Sequence, residues 1–202
     1  MTLTRRWLRQ DEFDVAIRSA SVRYGVTVPL IKAIIAKESG FNPEAYNPSD
    51  PGGAWGLMQM LPTTAAGLGY TGPMSALLTS PGLAIDLGAR LLAENMKRTV
   101  GVVADSVSAY NGGWNTKRIG GGYTNQTYVN DVLALVDYFR AWEAQTGGVT
   151  GPTPVTFPAD SGRRDVAVVD AEATKPRMRF PWLALAFGAM AWAAIILALK
   201  GC

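Results

Sequence analysis

The run Ile34-Ile35-Ala36-Lys37-Glu38-Ser39-Gly40 brings an apolar stretch to an end on a carboxylate. On a helix beginning near Pro29, Leu30, Ile31, Ile34 and Ile35 share one face. Glu38, four residues after Ile34 and three after Ile35, continues that face. Two effects there disfavour its ionised form: partial burial strips water from the carboxylate, and the helix C-terminus adds partial negative charge. A carboxyl group that stays protonated near neutral pH is what a general acid requires, so Glu38 is the first candidate for chemistry. The competing picture is a glutamate solvated at a helix end or paired with its neighbour Lys37. Helical position alone favours that second picture.

Composition limits what else could act. The chain has 202 residues, no histidine and one cysteine, Cys202. Proton chemistry therefore falls to carboxylates, tyrosines and amines. Ser-His and Cys-His catalysis are excluded, a zinc centre is disfavoured, and no disulfide can form within the chain. The net charge of +3 misleads, because residues 1–145 hold 13 Lys and Arg against 12 Asp and Glu. A nearly neutral body lacks the concentrated basic face of a nucleic-acid binder, so no nucleic-acid partner is expected.

The elements that must position Glu38 are mainly helical. The spacing of Phe13, Ile17, Ala20 and Tyr24 predicts a helix over 11–24 stopped by Gly25. Pro29 suits the first turn of the helix that runs to Ser39. Ser80-Pro81 reads as a cap and first-turn proline for a helix to about Arg98 carrying Leu83, Leu87, Leu91 and Leu92. A shorter helix over 101–110 ends at Asn111-Gly112-Gly113. Asn125 or Thr127 caps a last one to about Gln145, with Val129, Val132, Leu133, Val136 and Phe139 on one side. Strand signals are sparse: a short hairpin or loop among residues 46–57.

Three segments in this order change the weight of the Glu38 argument: Glu38-Ser39-Gly40-Phe41-Asn42-Pro43-Glu44-Ala45, then Gly56-Leu57-Met58-Gln59-Met60-Leu61-Pro62, then Ala109-Tyr110-Asn111-Gly112. Together they resemble the catalytic domain of soluble lytic transglycosylases, over roughly residues 12–145. The resemblance implies a mainly α, lysozyme-like domain with an active-site cleft that cleaves peptidoglycan glycan strands. It implies Glu38 as the single catalytic acid and base, with Ser39 setting the helix end. Met58 and Gln59 would line the cleft, Gln59 hydrogen-bonding the sugar near the scissile bond. Tyr110 would bring a hydroxyl close to Glu38, Asn111 would support its loop, and Tyr128 would be a second cleft tyrosine. Read without the resemblance, Leu57 is a core residue, Met58 is open to the same reading, and Tyr110 is a packed aromatic. Trp55 and Trp114 sit in glycine-rich turns, free either to stack on a sugar or to plug the surface.

Glycosidases usually need two carboxylates. Asp50, Asp86 and Asp105 are the candidates for a second, and none sits in a pattern pointing at Glu38. In the resembled family the substrate replaces the second carboxylate, and neither metal nor cofactor is needed. The product implied is a 1,6-anhydromuramoyl end. Two departures stand out: the loop between Glu38 and Gly56 is longer than the usual pattern, and Asn47 occupies the expected place of a small hydroxyl residue contacting the glutamate. A hydrolytic muramidase of the same fold and a non-catalytic wall-binding or structural membrane protein are the alternatives.

The remaining chain reads as an anchor. Residues 146–179 carry Pro152, Pro154, Pro158 and Pro176 with several glycines and almost no apolar periodicity, the signature of a linker. A flexible coil of that length spans roughly 30 Å. Residues 180–200 are the expected transmembrane helix. Positions 180–199 are uncharged, flanked by Lys175, Arg177 and Arg179 before and Lys200 after. The opening residues MTLTRRWLRQDEF show no apolar signal-peptide region. The expectation is a tail-anchored protein, on a virion membrane or bacterial inner membrane, whose basic flank favours a cytoplasmic N-terminal domain.

Overall fold

A computed structural model describes residues 3–147 of the chain. The chain divides into two units, Met1–Ala159 and Asp160–Cys202, and the described residues all belong to the first. Almost all of the linker expected over 146–179, and the membrane segment expected over 180–200, lie outside them. Among the described residues no helix is long and apolar enough to cross a membrane.

Seven helices and one small hairpin make up the described part: α1 Asp14–Tyr24, α2 Val28–Glu38, β1 Tyr46–Asn47, β2 Ala54–Trp55, α3 Pro62–Gly67, α4 Ala76–Thr79, α5 Pro81–Arg98, α6 Val103–Gly112 and α7 Gln126–Thr146. The mainly α expectation holds, and the hairpin falls inside the window read for it. Gly25 closes α1 in the left-handed conformation, with its N–H on the Ser21 carbonyl. The sequence reading passes over α3 and α4, which are too short for a 3.6-residue period to register. The two expected polar caps also differ. Ser80 and Asn125 precede α5 and α7 without a side-chain capping bond, and the Asn125 amide is instead committed to α6, as described below.

Helix α2 is central. Every residue from Val28 to Ala36 is buried, so the helix is covered all round and not only on the Leu30–Ile31–Ile34–Ile35 face. It packs chiefly on α7, while α1 packs on α5 and α5 on α6. Complete burial forces a partner on Lys32, only 2% exposed, whose ammonium lies 2.6 Å from Asp14 and 3.1 Å from Asp11.

The chain leaves α2 abruptly. After Ser39, both Gly40 (φ 60°) and Phe41 (φ 66°) adopt left-handed backbone. For phenylalanine this costs about 1–3 kcal/mol. Phe41 is fully buried, with ring centroids 5.8 Å from Trp7 and 5.9 Å from Phe139. Burying such a side chain contributes about 1.5–3 kcal/mol, enough to offset the strain. The helix therefore ends where the core demands, with Glu38 in its last turn.

Candidate active site

Glu38 is half-buried at the C-terminal end of α2 and opens onto a cavity of about 280 Å³, whose wall includes Asn47, Asp50, Gln59, Tyr110 and Asn111. Burial is the largest influence on its carboxyl group and raises the pKa above the usual carboxylate value. The charge of Asp50 pushes the same way, while a hydrogen bond from Tyr128 and the charge of Lys37 oppose the shift. Lys37 does not neutralise its neighbour by pairing with it, because its ammonium sits 2.7 Å from Asp131. The solvated or Lys37-paired glutamate is therefore not the arrangement found.

The segment Gly56-Leu57-Met58-Gln59 is a tight loop closed by reciprocal bonds between Trp55 and Met60, 3.1 and 3.0 Å long. Such a turn needs unusual backbone at both ends, and Gly56 (φ 73°) and Gln59 (φ 46°) supply it. A Cβ at position 56 would stand 2.5 Å from the Leu77 carbonyl, so only glycine fits. Leu57 and Met58 point into the core and are fully buried. This corrects the cleft-lining role expected for the Met58 side chain: its sulfur packs where a Cβ on Gly88 would have to go. The contribution of Met58 to the site is its carbonyl, which accepts a 2.8 Å bond from the Tyr110 hydroxyl. Ser39 is likewise turned inward. Its hydroxyl bonds to the Leu57 carbonyl at 2.8 Å and the Ile35 carbonyl at 3.1 Å, locking the end of α2 to this loop. The Gln59 amide donates to the carbonyls of Ala45 (3.1 Å) and Gly56 (3.0 Å), leaving its side-chain oxygen for the cavity.

Both tyrosines lie near Glu38, and the direct bond comes from Tyr128. Tyr128, in the first turns of α7, donates directly to the Glu38 carboxylate at 2.5 Å. Tyr110, on α6, is near enough to feel the Glu38 charge but spends its hydroxyl on Met58. Burial and that charge keep the phenol protonated. Tyr128 is held protonated by the same two causes. Asn111 accepts a 3.0 Å bond from the Asn125 amide, which also reaches the Ser108 carbonyl, so the start of α7 is stitched to the end of α6.

Asn47 does not replace a hydroxyl partner of Glu38. Its amide donates to Asp50 at 3.1 Å, and its oxygen accepts from the Ser49 N–H. Trp55 packs on Tyr46, with centroids 4.4 Å apart, while Trp114 is 45% exposed with the Arg98 guanidinium over its ring. A larger hollow of about 370 Å³ walled by Leu30, Met96, Val103 and Val136, with Tyr24, Lys97 and Arg140, is lined by no carboxylate and by none of the candidate site residues.

Residues 15–130 match the transglycosylase SLT domain family. The chain belongs to that family. Among curated relatives of this SLT-domain chain, a protein named transglycosylase from Enterobacteria phage PRD1 is 30% identical over 79% of the chain and 55% of its own length. A membrane-bound lytic murein transglycosylase C from Edwardsiella ictaluri is 39% identical over 52% of the chain and 32% of its own length. The chain thus spans about half and about a third of these relatives. The 70 kDa soluble lytic transglycosylase of Escherichia coli shares the fold. Its TM-score is 0.55 at 23% identity, covering 66% of this chain and 25% of that one. The SLT-domain residues that the motifs name converge on one cavity or its immediate support. The sequence names Asp50 only as one of three aspartates without a pattern pointing at Glu38, and it gives Asn125 and Ser108 no place at the site. A signal for Asp50 existed in its turn sequence Asn47-Pro48-Ser49-Asp50 just ahead of Gly56, whereas nothing local marks Asn125 as a stitch.

Proposed function

We propose that this chain is a peptidoglycan lytic transglycosylase with Glu38 as its acid and base. The observation that carries the reading is a half-buried carboxyl with a raised pKa lining a polar cavity, bonded by the Tyr128 hydroxyl with Tyr110 and Gln59 on the same cavity. The names of the curated relatives, a transglycosylase and a lytic murein transglycosylase, support the same chemistry.

Glu38 gives its proton to the oxygen joining N-acetylmuramic acid to N-acetylglucosamine as the C1–O bond breaks. The acetamido oxygen of the muramoyl residue stabilises the cationic C1, giving an oxazolinium-like intermediate. Glu38, now ionised, takes the proton of the C6 hydroxyl, which bonds to C1. The product is a 1,6-anhydromuramoyl end, no water is consumed, and Glu38 returns to its starting state. The Tyr128 bond steadies the carboxylate while it is charged. Gln59 and Asn111 orient the sugars from the cavity wall.

The reading extends to the cell. A phage relative and a membrane-bound relative support an enzyme tethered through residues 180–200. It would open the wall locally during delivery of a phage genome, or within a bacterial envelope. A tether keeps the catalytic domain concentrated within reach of the wall. Mass spectrometry of fragments released from purified sacculi tests the proposal. Anhydromuramoyl termini are expected, and Glu38→Gln should lower their release by ~10²–10⁴-fold. Equal release by that variant would remove Glu38 from the mechanism.

A further inference from the structure

Building on that reading, we propose that Asp50 is a second catalytic carboxylate, a general base that delivers water to C1 and gives the same site a hydrolytic branch. Of the three aspartates weighed as a second carboxylate, two are spent elsewhere. Asp86 holds Arg23 and the Tyr24 hydroxyl, and Asp105 holds Lys117 and the Tyr123 hydroxyl. Asp50 alone lines the cavity that Glu38 faces, and it makes no ion pair among the described residues.

The hairpin turn aims it. The Asn47 amide holds Oδ2 at 3.1 Å and is itself fixed by the Ser49 N–H. The Gly53 N–H grips the Asp50 backbone carbonyl at 2.8 Å. Oδ1 has no hydrogen-bond partner among the described residues, which leaves an acceptor open to a water. Two carboxylates lining one cavity and not bonded to each other leave a place for a water at one and a glycosidic oxygen at the other, as attack by a water needs. One water occupies roughly 30 Å³, a small part of the cavity's 280 Å³.

In the branch, Glu38 gives its proton to the bridging oxygen and the C1–O bond breaks. A water oxygen bonds to C1 while Asp50 takes one of its protons, so one water is consumed and a reducing muramoyl end results. Asp50 then releases its proton to solvent and Glu38 regains one. Without a base this route could not compete, because a well-placed intramolecular hydroxyl acts at an effective concentration of ~10⁵ M or more. General-base assistance of ~10²–10⁴-fold brings water into the same range.

The test is a product count from sacculi digested by the full chain, since anhydro fragments are lighter than reducing ones by one water. The parent should release both kinds. Asp50→Asn should lower the ratio of reducing to anhydro ends by ~100-fold while anhydro ends continue to form. Asn47→Ala, which keeps the carboxylate but frees it, should lower the ratio several-fold and carries the test alone if Asp50→Asn does not fold. A parent that yields anhydro ends only, or an unchanged ratio in the variants, would overturn the hydrolytic branch and leave the transglycosylase reading intact. Release of no fragment at all by the parent would overturn both.

Discussion

At the scale of single residues, the site depends on a carboxyl group caught between opposing influences. Burial and the Asp50 charge raise the pKa of Glu38, while the Tyr128 hydrogen bond and Lys37 lower it. A general acid works only when protonated, so activity should fall as pH rises through this elevated value. Tyr128→Phe removes an influence that favours ionisation. Its alkaline limb in a pH–rate profile should therefore move to higher pH, whereas a shift downward would contradict the assignment of the bond. The same shift carries a cost in stability. A carboxyl whose folded pKa exceeds its unfolded one holds its proton more tightly in the native state. The native state thus loses stability as pH climbs from the ordinary carboxylate value through the raised one. Glu38→Gln cannot ionise and should melt above the parent at neutral pH, with the gap closing in acid. A gap that does not change with pH would show that ionisation is not its source.

At the scale of elements, the site is assembled by backbone more than by side chains. Gly88 on α5 lies against Met58, with a Cβ there reaching 2.2 Å from the sulfur. Gly88→Ala should therefore cost about 1–3 kcal/mol in denaturant unfolding. It should also reduce activity, because displacing Met58 moves the carbonyl that holds Tyr110. Normal activity in a variant destabilised by that much would uncouple the packing from the tyrosine. This chain of contacts marks how far the sequence could be read. Glu38 was legible only when its place at the glycine-stopped end of an apolar helix was joined to the three motif segments, since helical position alone favours a solvated or paired glutamate. The Gly56–Gln59 loop was legible as a motif, but not which of its side chains turned inward, since a left-handed Gln59 breaks any simple periodicity. Tyr110 and Tyr128 could not be ranked, because their distances to Glu38 depend on how α6 and α7 dock on α2. Asn125 has the residue type of a cap, and it became a tie to Ser108 and Asn111 only because the end of α6 passes beside it.

At the scale of the described domain, one buried cation joins three parts of the chain. Lys32 stands on α2. Its partners Asp11 and Asp14 come from the turn before α1 and the first turn of α1, and the Trp142 indole of α7 donates to Asp11 at 3.2 Å. The Phe139 ring of α7 lies 5.9 Å from the ammonium. The segment ahead of α1 is fastened to α7 as well: Gln145 exchanges two bonds with Leu3, and the Tyr138 hydroxyl reaches Thr4. Because α7 also carries Tyr128, the register of this junction reaches the Glu38 carboxyl through a single helix. Lys32→Ala removes the cation that bridges Asp11 and Asp14 and opens a void in the core, while Arg5 and Arg18 keep the two carboxylates paired, so it should cost ~2–5 kcal/mol. Lys32→Met fills the volume and should cost less, because only the charge pairing is lost while the packing persists. Denaturant titration of the two variants separates the contributions. Equal losses would mean that pairing alone holds the junction, and no loss in either would mean that α1, α2 and α7 stay docked without it.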